Sequence, residues 1–99
     1  MIVVSGEIEV AEAGLDRAVA AAREMTAATQ QEEGCLFYTF YRDLENPCLF
    51  RVFEEWRDDA ALKAHFDSAH MGHFRERLAG AKVVRRDVKR YVVSDVSSL

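Results

Sequence analysis

The sequence predicts an α+β fold in which an antiparallel sheet carries its helices on one face. Residues 2–10 and 82–93 alternate with period two, whereas residues 12–32 carry apolar side chains at spacings of three and four. Between them lies an aromatic hairpin followed by a second helical stretch. Ninety-nine residues with no linker-like segment predict one domain spanning 1–99.

Ile2, Val4, Gly6, Ile8 and Val10 share one parity and Ser5, Glu7 and Glu9 the other, the pattern of a strand with one buried face. Gly6 in mid-strand marks a bulge or a close approach by another group. From Glu12 to Glu32, Leu15, Ala18, Val19, Ala22 and Met25 form a helical stripe of small side chains suited to lying on a sheet, and Gly34 is the expected stop. Residues 35–42 are aromatic and β-branched on both parities and read as a strand covered on both faces. Asn46-Pro47 ends it, and residues 48–56 return as its hairpin partner.

Asp58 or Asp59 caps a helix beginning at Ala60, Asp67-Ser68 breaks it and caps another over residues 69–78, and Gly80 ends that one. The last strand follows, and residues 94–99 fray. Strand, helix, strand, strand, helix pair, strand is the ferredoxin-like βαββαβ order. Its open sheet face needs cover, and the two-sided second strand implies that a second copy of the chain supplies it.

A net charge of −4 provides no general field for nucleic acid or an anionic membrane, and no stretch approaches the roughly twenty apolar residues of a membrane span. Arg85, Arg86, Lys89 and Arg90 form a local basic run that alternation sends to both faces of its strand, as a solvated edge, dimer rim or anion site. Cys35 and Cys48 are expected as unpaired thiols of a reduced, cytoplasmic protein, since Met1-Ile2-Val3-Val4 enters a strand pattern without a leader-like run.

The chemistry-bearing residues cluster. The single tryptophan, Trp56, and all three histidines, His65, His70 and His73, fall within residues 56–73. Histidine serves as acid, base or donor near neutral pH, and His70, Phe74 and Leu78 can share a helix face that lines a pocket. Glu54 and Glu55 point to opposite sides of their strand, so only one faces the helices, where burial would raise its pKa. No Cys or carboxylate motif completes a metal set with the histidines, so no metal is expected.

Glu33-Gly34-Cys35-Leu36-Phe37-Tyr38, Phe53-Glu54-Glu55-Trp56, Leu62-Lys63-Ala64-His65 and Ser68-Ala69-His70-Met71-Gly72-His73-Phe74 closely resemble the antibiotic biosynthesis monooxygenase domain family. The resemblance implies a dimeric α+β barrel of two ferredoxin-like protomers. It also implies cofactor-independent oxidation of a small quinol or of a phenolic, polyketide-like aromatic substrate, without flavin or metal. Other branches degrade haem or isomerise a phosphorylated sugar. The haem-degrading branch has an asparagine on the first strand where this chain offers only Ser5, Gly6 and Glu7. On this resemblance His70 or His65 transfers the proton, with His73 secondary. Glu54 or Glu55 orients the histidine, and Trp56, Phe74 and Phe66 form the pocket wall. An acid/base isomerase using Arg85, Arg86 or Arg90 for a phosphate, and a non-catalytic small-molecule-binding module, are the alternatives.

Overall fold

A computed structural model describes residues Met1 to Leu99. The chain forms β1 (Ile2–Val10), a short 3-10 turn (Glu12–Gly14), α1 (Leu15–Thr29), β2 (Cys35–Arg42), β3 (Leu49–Trp56), α2 (Asp59–Phe66), α3 (Ala69–Gly80) and β4 (Val83–Val92). The four strands make one antiparallel sheet in the order β2-β3-β1-β4, the ferredoxin-like arrangement. No helix is long and apolar enough to cross a membrane.

Alternation in β1 holds without exception: Ile2, Val4, Gly6, Ile8 and Val10 are buried beneath the helices and the intervening residues are half-buried on the other face. Gly6 is a place of close approach, because a Cβ there would stand 2.2 Å from the Asp87 carbonyl oxygen and 2.3 Å from the Val88 Cα on β4. The sheet does carry a register shift with β4, but between Glu9 and Val10. One apolar cluster centres on Trp56, Met25, Tyr38, Leu62 and Phe74; a smaller one joins Ile8, Val10, Ala18, Phe50 and Ala81 at the other end.

The first helix is shorter than the periodicity predicts. It starts at Leu15 and ends at Thr29, after which residues 30–34 turn towards β2. Gly34 therefore serves that turn rather than the helix end. Its φ of 86° lies in the left-handed region, where its carbonyl accepts the Arg57 N–H at 2.9 Å. Glu32 thus leaves the helix axis and hangs beneath α2 and α3. The second helix pair matches its capping signals: Asp58 Oδ1 accepts the Ala61 N–H at 2.8 Å and Ser68 Oγ accepts that of Met71 at 3.2 Å. The α3 helix runs two residues past the expected end, to Gly80.

On the open face, Glu7 binds Arg51 and Arg85, each at 2.9 Å, while Phe37 and Tyr91 lie exposed nearer the other end of the strands. Cys35 opens β2 opposite Trp56, whereas Cys48 precedes β3 at the far end of the hairpin, and both thiols are free.

A candidate active site between the sheet and the second helix pair

Three side chains far apart in sequence meet at one oxygen. Glu32 Oε2 lies 2.7 Å from His65 Nδ1 and 2.7 Å from His70 Nε2. A carboxylate oxygen only accepts, so both ring nitrogens carry the proton. That arrangement leaves Nε2 of a neutral His65 as an unshared electron pair. Ser68 sets the spacing of the two histidines: its hydroxyl donates to the His65 carbonyl at 2.6 Å while accepting from the first turn of α3. Ending α2 and restarting the chain as α3 places His65 and His70 on the same acceptor.

His65 is almost fully buried, with 1% of its surface exposed, and packs on the Trp56 ring at a centroid distance of 4.7 Å and on Tyr38 at 5.6 Å. Burial pulls its pKa below the usual imidazole value, against the opposing pull of Glu32. The neutral ring is therefore favoured at neutral pH. Glu54 is also buried and accepts the Trp56 indole N–H at 2.9 Å. Burial pushes its carboxyl up to about 7, opposed chiefly by that hydrogen bond.

Both groups line a cavity of about 520 Å³ between the helix-facing side of the sheet and α2–α3, within the range of small-molecule sites. Tyr38, Phe40, Phe66 and Phe74 supply its aromatic wall. Burial, and then the Glu54 charge, push the Tyr38 phenol above its ordinary value, so it stays protonated. A separate groove of about 430 Å³ along α1 and β2 has Arg23 and Arg42 as its only charged lining residues and no acid/base pair.

The expected site residues divide by position. His65, Glu54, Phe66 and Phe74 line the cavity. Trp56 lies beneath it, fully buried, as a support for His65 and Glu54 rather than as a wall. His70 is half-buried and reaches Glu32 from beside the cavity. Glu55 points to the open sheet face opposite Val3 and Phe37, because strand alternation separates it from Glu54. His73 is exposed. The carboxylate holding the histidines is neither Glu54 nor Glu55 but Glu32, which the helical periodicity assigns to the end of a helix.

Glu32, His65 and His70 also place one donor atom each within 4.8 Å of one another. Such a set of two histidines and a carboxylate is of a type that divalent transition metals accept, and it supplies the carboxylate that spacing alone did not reveal. An ion would have to displace both protons now shared with Glu32.

Residues 1–77 match the family described as antibiotic biosynthesis monooxygenase. The chain belongs to this family. A curated relative, the uncharacterized protein sll1783 of Synechocystis, is 30% identical over 98 residues, covering 99% of this chain and 67% of its own length. Among solved structures of the family's fold, a protein from Deinococcus radiodurans superposes with a TM-score of 0.93 over 100% of this chain and 98% of that one. At 21% identity it bears on the fold alone. A crystal structure described as an antibiotic biosynthesis monooxygenase is 28% identical, with a TM-score of 0.83 over 98% of this chain and 100% of that one.

Proposed function

We propose that the protein is a cofactor-independent monooxygenase acting on a small quinol or phenolic, polyketide-like aromatic compound in the cavity beneath α2 and α3. One observation carries this reading: His65 is buried, has one ring nitrogen committed to Glu32, and borders an aromatic-lined cavity. In the proposed reaction His65 Nε2 accepts the phenolic proton, and the resulting electron-rich anion reacts with oxygen. A new C–O bond forms, the O–O bond breaks, and the second oxygen leaves as water. The substrate supplies all the electrons, so a quinol becomes a hydroxyquinone without flavin or metal. Glu32 fixes the tautomer and stabilises the imidazolium, His70 holds Glu32 in place, and the aromatic wall keeps water from the anion.

Oxygen uptake by chelator-dialysed protein with a panel of quinols and hydroxyarenes tests this. Uptake above buffer is expected, and His65→Ala should lower kcat/KM by about a hundredfold or more. No uptake from folded protein with any member of the panel would overturn the reading. Turnover retained under argon would instead favour an acid/base isomerase.

We also propose that two copies pair through their open sheet faces as a dimeric barrel. Phe37 and Tyr91, 39% and 48% exposed, lie in the same cross-strand row as Val3, a half-apolar surface that another sheet would cover.

A further inference from the structure

We propose that the substrate is a hydroxyarene carboxylate, its carboxylate bound between Arg75 of α3 and Arg86 of β4 and its hydroxyl directed inward to His65. The proposal rests on the reading of the cavity as the substrate site, but its carboxylate-binding residues take no part in the oxidation.

The charge around the cavity runs against that of the whole chain. The protein carries −4 overall, yet Arg75, Arg86, Lys89 and Arg90 line the cavity and Glu54 is its only acidic lining residue. Two of these cations are already matched: Lys89 binds Asp87 at 3.0 Å and Arg90 binds Asp59 at 2.8 Å. Arg75 and Arg86 form no ion pair. The contrast with Arg85 is informative, since that residue lies one position away but on the open face, held at 2.9 Å by Glu7 and at 3.6 Å by Glu9. Strand alternation thus sends one arginine of the pair to a carboxylate partner and the other to the cavity without one. Within reach of the cavity the positive charge of Arg86 also acts on Glu54, favouring its ionised form.

A neutral quinol offers these two guanidinium groups only a neutral hydroxyl oxygen as acceptor. A carboxylate gives each a charge-assisted, potentially bidentate partner. The polarity of the cavity then orients the ligand. Arg75 and Arg86 are exposed and His65 is buried, so the acid group faces outward and the ring lies among Phe40, Phe66 and Phe74.

Isothermal titration calorimetry of the full chain under argon, with 4-hydroxy-1-naphthoate, whose hydroxyl and carboxylate lie at opposite ends of one ring, and 1-naphthol, tests the proposal. The naphthoate should bind at least about tenfold tighter. Arg75→Gln and Arg86→Gln should each erase most of that advantage while leaving 1-naphthol unchanged, and Arg85→Gln should leave both unchanged. Raising the salt should weaken the naphthoate alone. Equal affinities, no binding of either ligand, no effect of the Arg75 and Arg86 changes, or tighter binding of 1-naphthyl phosphate would each overturn it. Oxygen uptake is not read in this assay, so a failure of the oxidation reading and a failure of the charge preference produce different results.

Discussion

His65 and Glu54 are displaced in opposite directions for one reason: burial penalises whichever form carries charge. For Glu54 the neutral form wins, and its folded pKa of about 7 stands above the ordinary 4.5. Below pH 4.5 both folded and unfolded chains hold this proton; between 4.5 and 7 only the folded chain does, so stability falls as the pH rises through that window. The whole displacement corresponds to at most about 3 kcal/mol. Glu54→Gln keeps an acceptor for the Trp56 N–H but cannot ionise, so its melting temperature should exceed that of the parent at pH 8 and match it near pH 4.5. His65 behaves conversely, its folded pKa lying below 6.5, so the stability it contributes is lost as the pH falls below that value. The acid limb of kcat/KM should therefore lie below pH 6.5; a limb near 7 that vanishes in Glu54→Gln would assign proton acceptance to Glu54 instead.

At the scale of elements, two glycines make opposite predictions. A Cβ on Gly6 would stand 2.2 Å from the backbone of β4, whereas one on Gly72, inside α3, meets nothing within 4 Å. Gly6→Ala must push β1 and β4 apart and should unfold the protein at markedly lower denaturant, while Gly72→Ala should stabilise it by about 1 kcal/mol through helix propensity. Chemical denaturation of the two variants beside the parent decides both. The elements themselves were legible because alternation, capping residues and the Asn-Pro turn are local signals. The end of α1 was not: Gln30, Gln31, Glu32 and Glu33 are all polar, so no apolar contact marks where the helix stops. For that reason the sequence located both histidines but not Glu32. Arg75 was missed as well, since only the packing of α3 over β4 brings it to the cavity.

At the scale of the whole molecule, the sheet is finished on one face and unfinished on the other. Parity in β3 already separates Glu54 from Glu55, so the sequence showed that only one glutamate could join the helices. It could not identify Trp56 as buried support rather than wall, because a tryptophan at a strand end suits either role. The open face supports the proposed pairing of two copies, and sedimentation equilibrium should give twice the 11.2 kDa chain mass. Tyr91→Glu and Phe37→Glu, placed on that face, should shift the protein towards monomer; a monomeric parent at tens of micromolar would rule the pairing out.

The position of Trp56 has a practical outcome. It is the protein's only tryptophan, has no solvent exposure, packs against His65 and donates its N–H to Glu54. All indole emission therefore originates at one point, between the two groups whose protonation matters most. Protonated imidazole quenches an adjacent indole, and the charge on Glu54 shifts its emission. The chain thus carries an intrinsic optical indicator of ionisation at its candidate site, readable without a label and without knowing the substrate.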